Sequence, residues 1–354
     1  MRAFPILAAT ILLALPAAAQ SPDWQALVAA ANKEGALILS APTGKVWRDQ
    51  LLEFGKAYPA IRLDVSTFAS RDFWPRLVKE REAGQYLWDL RVGGADAPSY
   101  NLKNQGVLAP IRPLLMLPEI LDDKSWIGGL DGLFLDKEKT YFVAFAAYDS
   151  QSVYYNRAKL GGAEISMKGL IDPQWSGKLS MADPRAGASL NTLSVLDKVY
   201  GDAFVERLVT AQKPVITKEP RQQMDWLASG RYPVAFGLPS ATFVEYEQRG
   251  GKTEDFLKVP GLRLWSPGVG GIQVPSKGPH PAATKLFINW LLSRDTQAKL
   301  MPAVQLNSRR ADVKPGDPET ALDAAQIASA IATQSEDLLP FEHRTVEILR
   351  KAAP

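Results

Sequence analysis

The chain has 354 residues, of which 46% are hydrophobic and 22% charged, and this ordinary globular composition excludes collagen, coiled coil and intrinsic disorder. Its 41 Lys and Arg against 38 Asp and Glu give a formal net charge of +3, too small to indicate a nucleic-acid partner. The sequence has no cysteine, which excludes disulfide scaffolds, thiolate metal sites and thiol nucleophiles. The length favours two domains, since single cores stop growing at roughly 250–300 residues.

The first residues have the pattern of a secretory signal peptide. Arg2 gives a positive start, residues 4–16 form an apolar run, and three alanines precede a predicted cleavage before Gln20. The apolar run is too short to span a membrane, which takes roughly 20 residues. We therefore expect residues 1–19 to be removed and the mature protein to be free in the periplasm. No cysteine follows the apolar run, so no lipid anchor is expected.

The remaining chain alternates between strand and helix patterns. In the first part, apolar residues at spacings of three and four predict a helix with Trp47, Leu51 and Phe54 on one face. The other predicted elements there are strands at residues 36–40, 61–65 and 89–92 and a helix at 71–83. Further on, the predicted elements are strands at residues 141–145, 153–155, 234–236 and 262–265, and helices at 190–200 and 283–290. Strands separated by helices predict βαβ units and an α/β fold.

Motifs for catalysis and for cofactors are missing from the sequence. Only His280 and His343 could act as an imidazole base, and no Gly-x-Ser-x-Gly elbow is present. The segment Gly251-Lys252-Thr253 lacks the glycine of a phosphate-binding loop, because Tyr246 stands at that position. We therefore predict that the protein is not an enzyme and has no cofactor.

One pattern recurs instead: a strand, then a turn rich in Gly, Ser, Thr and Pro, then the start of a helix. It occurs at residues 42–44, 93–96, 183–189 and 237–242. In open α/β sheets such turns lie at the carboxyl ends of the strands, where ligands bind. Free N–H groups and the helix dipole make each turn a potential seat for an anion. Helix capping alone explains any single turn, whereas four of them indicate a shared cleft.

Arg185 precedes the predicted helix at residues 190–200. In a cleft it would pair with a carboxylate or phosphate of the ligand through two parallel hydrogen bonds. On the surface it would have no role in binding. The sequence leaves both possibilities open.

Several short segments, in their order along the chain, are similar to those of a known family. They are residues 24–35 (WQALVAAANKEG), 54–61 (FGKAYPAI), 153–156 (VYYN), 175–178 (WSGK) and 229–232 (SGRY). On these segments the chain resembles the periplasmic solute-binding proteins of ABC importers, in the family that includes ferric-iron binders. The similarity extends over nearly the whole mature chain.

The resemblance implies a type 2 periplasmic-binding fold with two α/β lobes, each a mostly parallel sheet flanked by helices, that close on a ligand about a hinge. It implies a first lobe of residues 20–144 plus 267–305 and a second lobe of residues 145–266 plus 306–354. The chain would cross between the lobes at residues 141–148 and 265–268. It further implies a monomer that delivers its ligand to an ABC permease in the inner membrane.

The tyrosines indicate whether the ligand could be iron, because the iron binders of this family hold the metal through tyrosine phenolates. Tyr154 and Tyr155 are adjacent, and because side chains alternate along a strand only one of them can face a cleft. Iron binders of the family also carry a neighbouring tyrosine pair later in the second lobe, where this chain has residues 237–242 without a tyrosine. The sequence therefore favours a small organic anion, namely a carboxylate, a phosphonate or a sugar phosphate, over ferric iron.

The predicted ligand-binding residues combine the turns with residues near the crossings. They are Thr43, Gly44, Gly94, Tyr148, Ser150, Arg185, Gly187, Ser189, Ser240 and Trp265. If the ligand were iron, Tyr154 or Tyr155 would be the candidate ligands. A third interpretation, from another class, is a secreted hydrolase that uses the same two lobes.

Overall fold

The computed structural model describes residues 21–185, 187–239 and 241–352. The predicted signal peptide, residues 1–19, lies outside these residues, and so does Ser240. In the part that is described, no helix is both long and apolar enough to cross a bilayer.

Helices and strands alternate along most of the chain, as the sequence predicts. The α-helices are α1 (Pro22–Glu34), α2 (Lys45–Ala57), α3 (Ser70–Glu82), α4 (Ala97–Asn104), α5 (Pro118–Leu121), α6 (Gly187–Tyr200), α7 (Asp202–Thr210), α8 (Pro220–Ser229), α9 (Ala241–Gln248), α10 (Pro281–Leu292), α11 (Arg294–Val304), α12 (Ala324–Ser329) and α13 (Leu339–Ala352). The strands are β1 (Ala36–Ala41), β2 (Arg62–Thr67), β3 (Leu90–Val92), β4 (Leu108–Ala109), β5 (Val143–Ala144), β6 (Tyr148–Asp149), β7 (Val153–Asn156), β8 (Leu179–Ala182), β9 (Val215–Thr217), β10 (Val234–Phe236), β11 (Phe256–Lys258), β12 (Leu264–Ser266), β13 (Gly271–Pro275) and β14 (Ile331–Ala332).

Local sequence explains how these elements begin and end. The Ser21 side chain accepts a hydrogen bond from the Trp24 N–H at the start of α1, and Gly35 ends the helix with a φ of 68°. The helix α2 buries Trp47, Leu51 and Phe54, the face that the sequence predicts. The predicted strand at residues 141–145 shortens to β5.

The first lobe is built on a sheet of strand order β2-β1-β3-β13-β4, with β5 also paired to β13. Strand β1 runs parallel to β2 and β3, whereas β13 is antiparallel to β3, β4 and β5. Five of the six strands described in this sheet therefore run in one direction and β13 runs against them, so the sheet is mostly parallel in strand direction, as the resemblance implies. Strand β13 enters the sheet after the chain has passed through the second lobe.

The second lobe contains a sheet of strand order β11-β7-β10-β8-β9. Strand β8 is parallel to β9 and β10, while β7 is antiparallel to β10 and β11. A small third sheet of order β14-β12-β6 joins the two segments predicted to cross between the lobes, with Trp265 opposite Asp149 and Ser266 opposite Tyr148. The α/β fold class is confirmed, and in the second lobe one strand, β7, runs against the other four strands described in its sheet.

Each large sheet has its own hydrophobic core. Phe54 of the first core packs against Phe287 with ring centroids 5.0 Å apart, and Leu193 and Trp175 lie in the second core. The C-terminal helix α13 packs on α6 and α7 of the second lobe. Arg309, thirty residues before α13, contacts the first lobe instead: its carbonyl accepts a hydrogen bond from the Ile127 N–H at 2.7 Å. The lobe boundaries stay a prediction, and the one at residue 306 falls in a segment that contacts the first lobe.

Candidate functional site

Two cavities lie side by side where the lobes meet, and Gln334 lines both. The first-lobe cavity, of about 410 Å³, is lined by Pro42, Thr43, Trp47, Phe68, Ala69, Ser70, Arg91, Gly93, Gly94, Ala95, Asp96, Gly268, Val269 and Gln334. The second-lobe cavity, of about 300 Å³, is lined by Tyr148, Asp149, Ser150, Gln151, Ser152, Tyr154, Gly187, Ala188, Asn191, Thr192, Leu238, Pro239, Ser266, Thr333 and Gln334. Together they have the size of a site for a small molecule.

Gln334 connects the walls of the two cavities. Its Oε1 accepts a hydrogen bond from the Ala95 N–H at 2.9 Å, and its Nε2 donates to the carbonyl of Gly268 at 2.9 Å. Gly94 lies beneath this contact, and a Cβ there would come within 2.7 Å of the Gln334 Oε1 and closer still to the Gly268 carbonyl. Only glycine at position 94 therefore lets the first-lobe turn approach the crossing segment so closely.

The second-lobe cavity is lined mainly by hydroxyl groups and backbone. The Ser150 Oγ is buried and has no hydrogen-bond partner within the described residues. Asp149 is not free to bind a solute by itself, because its carboxylate pairs with the Lys258 ammonium at 2.8 Å. Gly187 and Ala188, at the start of α6, bring the N-terminal end of a 14-residue helix to the cavity wall.

The two adjacent tyrosines of β7 point to opposite faces of the sheet, as the alternation of a strand requires. Tyr154 lines the second-lobe cavity, and Tyr155 packs against the core of the second lobe. Burial, together with the negative charge of Asp149, raises the pKa of Tyr154 to about 12. Tyr154 is thus a neutral phenol at the cavity wall.

The first tyrosine after residues 237–242 does not reach the cavities. Tyr246, on α9, packs against Phe256 with ring centroids 6.0 Å apart. Within the described residues no cluster of three or more His, Cys, Asp or Glu side chains could hold a metal ion. A bound iron would therefore depend on Tyr148 and Tyr154 for phenolate ligands.

The structure places Arg185 outside both cavities. Its guanidinium is exposed and forms two hydrogen bonds to the Asp183 carboxylate, Nε to Oδ1 at 2.8 Å and Nη2 to Oδ2 at 2.7 Å. Donation from Arg185 lowers the pKa of Asp183 to about 2. Of the two possibilities that the sequence leaves open, the structure shows the surface position. The guanidinium already forms both of its parallel hydrogen bonds with the Asp183 carboxylate.

Three more predicted ligand residues have structural contacts instead of a place in a cavity lining. Ser189 is buried and donates through its Oγ to the carbonyl of Ala182 at 3.0 Å. Trp265 is buried beneath the Arg309 guanidinium, 4.8 Å from its ring centroid, and burial lowers the pKa of Arg309 to about 10. Gly44 is the N-cap residue of α2, with a φ of 115°. The structure brings Thr43, Gly94, Tyr148, Ser150 and Gly187 to the cavities.

Sequence reasoning missed Arg91, which lines the first-lobe cavity from the middle of β3. Its side chain is 3% exposed, and it stands between Leu90 and Val92 in a strand whose three residues are all buried. An arginine inside an apolar strand was the available signal, since arginine is almost never fully buried without a partner. Burial lowers the pKa of Arg91 to about 10, so the side chain is positively charged at neutral pH.

Comparison with protein families gives one match. Residues 50–326 match the model of the family described as "Bacterial extracellular solute-binding protein". Comparison with curated protein sequences finds no match.

Comparison with solved structures finds many similar two-lobed proteins. Iron-bound HitA from Pseudomonas aeruginosa has a TM-score of 0.56 at 17% identity, covering 88% of this chain and 99% of that one. Trichodesmium IdiA (FutA), in complex with iron and citrate ligands, has a TM-score of 0.67 at 12% identity, covering 90% and 99%. The periplasmic binding protein P5PA has a TM-score of 0.57 at 17% identity, covering 90% and 96%. At these identities the similarity shows the fold alone.

Proposed function

This chain belongs to the bacterial extracellular solute-binding proteins, and from that premise we propose that it captures a small anionic solute between its lobes and delivers it to an ABC permease. The observation that supports an anionic ligand is the position of two helix N-termini. The helix α2 begins just after Thr43 at the first-lobe cavity, and no side chain caps its free N–H groups. The helix α6 begins at the second-lobe cavity with Gly187. The free amides of α2 and the positive ends of both helix dipoles attract an anion from either lobe.

Capture by two lobes explains how binding would signal to a permease. A ligand shifts a protein toward a closed state only by binding that state more tightly. An anion that contacts α2 and α6 together gains contacts when the lobes approach, so its binding favours closure about the β6 and β12 crossings. We place this cycle in the periplasm, after removal of the predicted signal peptide.

Ferric iron is the second candidate, because HitA and Trichodesmium IdiA, which share this fold, bind iron in their solved structures, whereas the sequence favours an organic anion. One observation of this chain supports iron: Tyr148, Asp149 and Tyr154 line a single cavity, and their oxygens are hard donors. Two contacts weigh against it. Asp149 is paired with Lys258, and Tyr155 faces the core, so neither is freely available to a metal in this cavity.

The decisive experiment is native mass spectrometry of the protein purified, without refolding, from the periplasm of its source. We expect a bound organic acid in the released small-molecule fraction and no visible absorbance. Titration with ferric citrate tests the second candidate, since a tyrosinate charge-transfer band that disappears in Tyr154→Phe would replace the anion proposal with iron transport. Turnover of a chromogenic ester by the same preparation would instead support the hydrolase.

A further inference from the structure

The first-lobe cavity contains a buried positive charge that forms no direct ion pair with the described residues. Arg91 donates through Nη1 to the Ser40 Oγ at 2.8 Å, across the β1–β3 pairing, while its buried Nε has no hydrogen-bond partner. In the described part of the chain, no carboxylate oxygen lies within 4.0 Å of the guanidinium. A buried guanidinium loses its hydration, and the negative charge of Asp96 in the same cavity offsets that loss only in part, since burial still lowers the pKa of Arg91.

The surroundings hold the guanidinium in one position. The rings of Phe73 and Trp74 lie 4.8 and 5.4 Å from its central carbon, which stabilises the charge through cation–π contact but accepts no N–H hydrogen bond. A side chain at position 93 would crowd this group, because a Cβ there would lie 3.0 Å from Nε and 3.1 Å from Nη2. With glycine at this position no side chain blocks the Nε–Nη2 edge, and such an edge matches two oxygens of a carboxylate or phosphate.

A neighbouring acid limits the charge of the group that fits. Asp96 lines the same cavity, and its carboxylate accepts hydrogen bonds from the Ser99 N–H at 3.0 Å and from the Ser70 hydroxyl. A phosphate dianion would bring two negative charges close to the Asp96 carboxylate, whereas a ligand carboxylate brings one and is repelled less. The rest of the lining includes Trp47, Phe68 and Val269, and Val269 is 40% exposed.

We propose that Arg91 is the anion-binding residue of the first-lobe cavity and binds the carboxylate of a small organic acid whose apolar body packs against Trp47, Phe68 and Val269. The proposal rests on the proposed function and names the class of its ligand. It adds a residue to the site that belongs to neither helix N-terminus. It also explains why an arginine occupies a buried strand position with only one hydrogen-bond acceptor.

The test uses the exported full-length protein and three variants, Arg91→Met, Arg91→Lys and Arg157→Gln. Arg157 is an exposed arginine paired with Asp255, and its replacement is the matched control. Thermal unfolding is measured with benzoate, hexanoate or phosphate against sodium chloride of equal ionic strength, and dissociation constants follow by calorimetry. We expect benzoate or hexanoate to raise the melting temperature of the wild type and of Arg157→Gln.

For Arg91→Met we expect at least a tenfold loss of affinity, with a melting temperature in chloride no lower than that of the wild type, because the variant removes a buried charge that forms no ion pair within the described residues. Arg91→Lys should retain part of the affinity, since it keeps the charge and loses the bidentate edge. A lower melting temperature of Arg91→Met without ligand would show that Arg91 is structural and would overturn the proposal. So would stabilisation by phosphate alone, or by none of the three anions. If no carboxylate acts while native mass spectrometry shows a bound solute, the Arg91 site fails and the proposed function stands.

Discussion

The same substitution, glycine to alanine, should have opposite effects at two positions of the first lobe. At Gly94 the new Cβ would lie 2.7 Å from the Gln334 Oε1, so this side chain must retreat by about 0.7 Å to reach ordinary contact at 3.4 Å. The Gly268 carbonyl must move further, and it belongs to the backbone. Such overpacking costs about 1–3 kcal/mol. Loss of the hydrogen bond from the Ala95 N–H to Gln334 adds about 1 kcal/mol.

We therefore expect Gly94→Ala to lower the free energy of unfolding by about 2–4 kcal/mol and to weaken solute binding, because Gln334 lines both cavities. Gly55 is the matched control. It lies inside α2 with open space where a Cβ would stand. There the same change should raise the free energy of unfolding by about 0.5–1 kcal/mol. Urea denaturation of both variants measures the difference, and equal stability of Gly94→Ala and the wild type would refute the reasoning from close contact.

Three further predictions concern a surface pair, a buried turn and a cavity wall. Arg185→Ala should leave solute affinity unchanged but raise the pKa of Asp183 from about 2 toward 3.8, measurable by NMR titration. Because the folded-state pKa is the lowered one, this pair stabilises the fold above pH 4 and stops doing so as the pH falls through about 2. Asp136→Ala should reduce the free energy of unfolding by about 2–4 kcal/mol, since one buried and two partly buried backbone N–H groups lose their acceptor. Asp131→Ala, at an exposed ion pair, should change it by less than about 0.5 kcal/mol in the same urea experiment. Tyr154→Phe should leave organic-anion binding within about threefold of the wild type in calorimetry, since the phenol is neutral, and a complete loss would contradict that assignment.

The sequence predicts most of the fold because local patterns determine where its elements begin and end. The stripe of Trp47, Leu51 and Phe54 marks the buried face of α2, and the turns at residues 42–44 and 93–96 mark strand ends at the first-lobe cavity. The direction in which a strand runs within its sheet is harder to predict from the sequence. Nothing in residues 271–275 shows that β13 enters the first sheet antiparallel, because that depends on where the chain returns from the second lobe.

The site is harder to predict because the role of an arginine depends on its neighbours in space. Arg185 follows a strand end, as a ligand residue would, yet Asp183 two residues earlier binds its guanidinium. Arg91 stands in an apolar strand, and only the structure shows that the carboxylate of the nearby Asp96 accepts hydrogen bonds from Ser70 and Ser99 instead. Whether a carboxylate of the protein pairs directly with the guanidinium therefore distinguishes the surface arginine from the proposed ligand-binding arginine. At Arg185 the protein itself supplies the carboxylate, and the arginine lies on the surface. At Arg91 we propose that the carboxylate of the solute takes that place.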